Sequence, residues 1–92
     1  MSTVRMPPIL RQAVGGAREV DADGATVREL LDDLTSRYPS IRGHLLDDGG
    51  ELNRFVNVYL NDQDIRYLQE RATPVDAQDT LIILPAMAGG AD

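Results

Sequence analysis

Leu81-Ile82-Ile83-Leu84-Pro85-Ala86-Met87-Ala88-Gly89-Gly90-Ala91-Asp92 decides how the rest of this chain is read. The apolar run at 81–84 has the composition of a buried strand. Pro85 lacks an N–H and predicts that sheet pairing stops there. Gly89 and Gly90 carry no Cβ, so together they can thread a narrow channel. Residues 85–90 span roughly 20 Å when extended. A small body followed by such a segment is built to hold out a backbone carboxyl group. Taken alone, the segment reads better as an ordinary terminal tail. The residues before it change the balance.

Working outward, residues 54–61 are rich in β-formers and alternate: Val56, Val58 and Leu60 on one side, Phe55, Asn57 and Tyr59 on the other. Asn61 and Asp62 suit a turn, and residues 65–68 read as a short extended piece. Thr26-Val27-Arg28-Glu29 is a capping-box sequence, the Thr26 hydroxyl accepting from the Glu29 N–H while Glu29 reaches back. Val27, Leu30, Leu31, Leu34 and Tyr38 then form one apolar stripe at helical spacing. Asp33 and Arg37 are an acid–base pair four apart, and Pro39 closes the helix. Residues 41–46 predict a helical turn and 47–50 a loop. At the start, residues 3–10 read as a strand with prolines at its end, Gly15-Gly16 as a turn, and residues 17–22 as the returning strand.

The order is two strands, a helix, a strand, a short strand and a final strand. That predicts an α+β fold: a sheet with one main helix on one face, its first and last strands side by side in the middle. The domain covers residues 1–84, and residues 85–92 form a flexible tail. The uncovered face of the sheet is where function is expected.

Composition narrows the chemistry. Ninety-two residues make one domain. The sequence contains no cysteine and one histidine, His44, which argues against thiol catalysis, Cys-type zinc and a Ser-His-Asp relay. No apolar run is long enough to span a bilayer and no leader is visible, so a cytoplasmic protein without membrane association is expected. A net charge of −6 argues against nucleic acid and favours a basic surface on a protein partner. All nine basic residues are arginine, so the chain offers no ε-amine for isopeptide formation. Asp32-Asp33, Asp47-Asp48 and Asp62-x-Asp64 read as solvated charge; the last lacks the glycine and glutamate of a calcium loop. No metal site is expected.

With this element order and the diglycine together, the chain resembles the ubiquitin-like β-grasp sulfur carriers of the ThiS/MoaD family. It is most similar to the CysO-like carriers of actinobacterial cysteine synthesis. The similarity lies in Thr26-Val27-Arg28-Glu29-Leu30-Leu31, in residues 54–66, and in Leu84-Pro85-Ala86-Met87-Ala88-Gly89-Gly90. The resemblance implies a protein co-substrate and not an enzyme. An E1-like activating enzyme, using ATP and magnesium, converts the glycine carboxylate to an acyl-adenylate. A sulfur nucleophile then displaces AMP to leave a thiocarboxylate. Carried over, Gly90 bears the sulfur, while Gly89, Ala88 and Met87 are read by the partner's channel. The carrier itself binds no cofactor. Ala91-Asp92 departs from the simplest pattern. It implies a cut between Gly90 and Ala91, in such relatives by a JAMM-type metallopeptidase, or an extension that is not native.

Strand alternation and the resemblance agree on a docking face. If Val56, Val58 and Leu60 face the helix, Leu81 and Ile83 join them, leaving Phe55, Tyr59, Ile82 and Leu84 on the open side. A one-residue slip inverts this assignment. The expected acceptor is a cysteine-synthase-type PLP enzyme or a thiosugar synthase, with a monomeric free carrier. The alternatives are a molybdopterin synthase small subunit, a protein modifier joined through Gly90 to lysines, and a plain interaction module.

Overall fold

The computed structural model describes residues 1–85. Five strands form one mixed sheet in the order β2-β1-β5-β3-β4: β1 (Ser2–Arg5), β2 (Glu19–Ala22), β3 (Val56–Leu60), β4 (Gln63–Asp64) and β5 (Thr80–Pro85). β1 and β5 run parallel in the middle, and the other pairs are antiparallel. Helix α1 (Val27–Arg37) crosses one face, with a one-turn helix α2 (Arg42–Leu45) beyond it. This is the arrangement that the element order predicts. No helix among the described residues is long and apolar enough to cross a membrane.

The core is the meeting of two periodicities. Val27, Leu30, Leu31 and Leu34 from α1 are buried against Val4, Val20, Ala22, Val58, Leu60, Leu81 and Ile83 from the sheet. Ile41 and Leu45 extend the cluster, and Tyr38, half-buried, packs on its margin as the residue that ends α1. Full burial of each such side chain stabilises the fold by about 1.5–3 kcal/mol before conformational entropy is set against it.

The start of α1 departs from the expected cap by one residue. The Glu29 N–H does donate to Thr26 Oγ1, at 3.2 Å. Glu29 Oε1, however, accepts from the Ala25 N–H at 2.9 Å rather than from Thr26. The Thr26 region is drawn into an isolated bridge to Pro74, with the Val27 N–H on Thr73 O. Immediately before it, Gly24 comes so close to the helix that a Cβ there would sit 2.5 Å from the Leu30 nitrogen.

Three expected strands are shorter than read: residues 17–22 pair only over Glu19–Ala22, residues 54–61 only over Val56–Leu60, and the first strand changes most. Residues 3–10 do not continue as a strand: β1 stops at Arg5, and Pro8–Val14 winds into a 3-10 helix that buries Leu10 and Val14. The paired prolines explain the change. Pro7 is extended at φ −69°, and Pro8 enters the first helical turn, where no N–H is needed. Gly15 and Gly16, both at positive φ, then reverse the chain into β2, making a wide connection instead of a tight hairpin.

Residues 65–68 are not extended either. Ile65–Tyr67 is a 3-10 turn capped by Asp64, whose carboxylate accepts from the Arg66 N–H. At the other end, Pro85 is the last described residue of the sheet and is itself paired. β5 includes it, opposite Val56, so the strand runs one residue past the expected domain boundary.

Candidate functional site

β5 is the central strand from which the tail departs, and its register orients the whole site. Val58 lies opposite Ile83 and Leu60 opposite Leu81, and all four are buried. The alternate pairs are Tyr59 with Ile82 and Asn57 with Leu84. Ile83 is 1% exposed and Leu84 41%, so the valine face is the helix face and no slip has occurred. Tyr59 and Ile82 are half-buried on the open side, and Arg5 of β1 lies opposite Ile82 on the other flank.

Phe55 sits differently from its expected place. It occupies a turn one residue before β3, so strand alternation does not aim its side chain. Half-exposed, it borders a second, mostly apolar groove of about 260 Å³ with Ile9, Leu10, His44, Leu84 and Pro85. The Arg54 guanidinium lies 5.2 Å from its ring centroid, within cation–π range. Leu84 therefore belongs to both apolar surfaces, the open face beside Tyr59 and Ile82 and the groove beside Phe55. Ile9, the most exposed aliphatic near the groove at 73%, was concealed in the sequence by the strand reading of residues 3–10.

The far flank of the open face carries a buried charge. Asp64, directly opposite Tyr59, is 7% exposed. Both its oxygens are held by the Arg66 guanidinium, at 3.2 and 3.1 Å from Nε and 2.7 Å from a terminal nitrogen. The Arg66 hydrogen bonds keep the Asp64 carboxyl below the usual carboxylate range, and Asp64 in turn raises Arg66. Asp64 is thus an internal counter-ion and not idle solvated charge.

The other acidic doublets are likewise occupied in part. Asp47 Oδ1 accepts from the Gly49 and Glu51 N–H groups and closes its loop. Asp33 accepts from the Asp23 N–H at 2.8 Å and from Arg37 at 2.7 Å; the Asp23 bond and Arg37 lower its pKa against some desolvation. The Asp33–Arg37 contact, four residues apart, was readable, but the Asp23 bond spans two elements and left no local trace.

Met87, Ala88, Gly89, Gly90 and Ala91 lie outside the described residues. What the structure places is their point of departure, Pro85, between the open face and the Phe55 groove.

The ThiS family profile matches residues 4–90, which reaches through the diglycine. The chain belongs to the ThiS family. This ThiS-family chain is 43% identical over 90 residues to the sulfur carrier protein CysO of Mycobacterium tuberculosis strain ATCC 25618 / H37Rv, covering 96% of the chain and 97% of the relative. Its fold is the β-grasp seen in the crystal structure of the Amycolatopsis orientalis BexX/CysO complex. There the TM-score is 0.87 at 47% identity, over 98% of this chain and all of the other. Small archaeal modifier protein 3 of Haloferax volcanii is 37% identical over 68 residues, covering 74% of the chain and 73% of that protein.

Proposed function

We propose that this chain is a sulfur carrier, a protein co-substrate whose working group is the carboxylate of Gly90. Whatever follows Gly90 is removed by a peptidase of the JAMM type, exposing that carboxylate. An E1-like enzyme joins it to the α-phosphate of ATP with loss of pyrophosphate. A sulfide sulfur then attacks the acyl carbon and AMP leaves, giving the thiocarboxylate; with a persulfide as donor, the same attack leaves an acyl disulfide, whose S–S bond a thiol reductant cleaves to the thiocarboxylate. ATP and magnesium belong to the activating enzyme. The carrier contributes shape, reach and a docking face, so its part in the chemistry is positioning.

The observation that carries the reading is the family match through residue 90, joined to a strand that ends between two exposed apolar surfaces. A diglycine held out from such a position is presented to a partner already gripping the body. The near-full-length likeness to CysO favours a PLP-dependent cysteine-synthase-type acceptor, with a thiosugar synthase as a second candidate client; the BexX/CysO complex supports a carrier that works with partner proteins. The carrier is cytoplasmic on this reading.

The test is intact mass. The form ending at Gly90 is incubated with ATP, an E1-like enzyme and a sulfide source. Replacement of one oxygen by sulfur supports the carrier; no change, with an enzyme proven active on another carrier, refutes it. The likeness to a small archaeal modifier favours a second reading, attachment of Gly90 to lysines of other proteins. Thiol-resistant conjugates in the same mixture, supplemented with a cell extract, distinguish that outcome.

A further inference from the structure

Next to Ile82 and Leu84 the structure opens a cleft of about 600 Å³ that is also lined by Arg5, Arg11, Arg18 and Glu19. The three arginines come from β1, from the 3-10 helix and from the residue before β2, which only the fold brings together. Three guanidinium groups against one carboxylate leave a local formal charge of +2 in a chain whose total is −6. Glu19 does little to neutralise them. It meets Arg5 at 3.5 Å with both side chains more than half exposed, and such a pair is worth little in water. Arg11 gives its Nε–H to the Met6 carbonyl at 3.3 Å, leaving its terminal nitrogens without a partner among the described residues. Arg18 makes no ion pair with any described residue.

We propose that this cleft receives an acidic segment of the enzyme that engages the tail. Aspartate or glutamate side chains of the partner pair with Arg5, Arg11 and Arg18, while a neighbouring apolar side chain rests on Ile82 and Leu84. Charge complementarity selects carboxylates, since guanidinium forks match them two bonds at a time. The adjoining apolar strip selects a polypeptide over a free anion, which has no use for it. The whole-chain charge predicts a basic partner surface; at the point where the tail departs, the local charge calls for the opposite. The cleft rests on the carrier reading for the identity of its partner.

The experiment uses the form ending at Gly90 with its activating enzyme and follows adenylation against carrier concentration. Arg11→Gln with Arg18→Glu is compared with a charge-matched control, Arg28→Glu with Arg42→Gln, both exposed and outside the cleft. The cleft pair is expected to raise KM about tenfold with kcat within about twofold, and the effect to shrink between about 50 and 500 mM NaCl. The control pair is expected to leave KM within about twofold. No change from the cleft pair, or an equal change from both pairs, overturns the cleft. Circular dichroism melts of both variants show that each is folded. Should the unsubstituted carrier never be adenylated, the carrier reading fails, and the cleft is judged separately by NMR titration. The probe is then the peptide acetyl-Asp-Leu-Glu-Asp-Leu-Glu-amide. Shifts centred on Arg5, Arg11, Arg18, Ile82 and Leu84, absent with inorganic phosphate alone, support it; no shifts, or shifts matched by phosphate, overturn it.

Discussion

Tyr59 of β3 lies directly opposite Ile82 of β5 on the open face, while the adjoining pair, Val58 and Ile83, is buried under α1. One step along the strand therefore separates a residue available to a partner from one that holds the domain together. Tyr59→Asp is expected to leave a cooperatively folding domain, since Tyr59 is half-buried on the open face, to lower the melting temperature by only several degrees because the new carboxylate faces Asp64, and to weaken adenylation of Gly90 several-fold. Ile83→Asp is expected to abolish cooperative unfolding, because an unpaired carboxylate has no place in that core. Thermal melts of the two variants, side by side, check the register. Loss of folding by Tyr59→Asp contradicts it.

The approach of Gly24 to α1 gives a second expectation. A methyl group at that position meets backbone atoms of Glu29 and Leu30 that cannot move aside without shifting the helix. Gly24→Ala is expected to destabilise the domain by about 1–3 kcal/mol. Gly43→Ala, where a Cβ meets nothing within 4 Å, serves as the comparison and is expected to be neutral or stabilising. Urea midpoints of both variants measure the difference.

Capping of α1 is separable from its packing. Thr26→Ala removes the acceptor for the Glu29 N–H and is expected to cost about 1 kcal/mol. Because Glu29 binds the Ala25 N–H instead of Thr26, Glu29→Ala is expected to add its own loss rather than repeat the first. A double-mutant cycle by chemical denaturation reads the coupling, with near-additivity as the expected result.

Acid should weaken the fold in a defined direction. Asp64 is held below its ordinary pKa by Arg66, Asp33 by the Asp23 N–H and Arg37, and Asp79 by the Asp76 N–H and Asn61. Carboxylates lowered in the folded state stabilise it above their unfolded values, and that contribution is lost as pH falls through the folded ones. Stability is thus expected to be level near neutrality and to decline below about pH 4. Asp64→Asn is expected to lower the urea midpoint at pH 7, with the gap to the parent narrowing by about pH 2. A gap that widens on acidification contradicts the assignment.

Several elements were legible because their determinants are local. The stripe Val27, Leu30, Leu31, Leu34 and the Thr26 cap lie within three turns of one helix. Alternation in Val56–Leu60 separated Val58 and Leu60 from Tyr59 without reference to any other strand. Phe55 was aimed by the same alternation and escaped it, because the chain is still turning at that residue. Residues 65–68 looked extended from their apolar content. Their true conformation is set by the Asp64 carboxylate folding back onto the Arg66 N–H. Ile9 could have been recovered from Pro7-Pro8, since proline in a first helical turn is a start signal as well as a strand breaker.

The sequence by itself determined the helix, the inward and outward faces of the two long strands, and the presence of a diglycine beyond the last of them. Those features are written in side-chain periodicity and in residues whose backbone freedom is intrinsic. Only the tertiary structure decided that Arg5, Arg11 and Arg18 share a cleft with Ile82 and Leu84, and that Ile9, Phe55 and Pro85 share a groove. Each of those groups joins residues more than sixty positions apart, and they meet because β1 and β5 pair in parallel across the whole length of the chain.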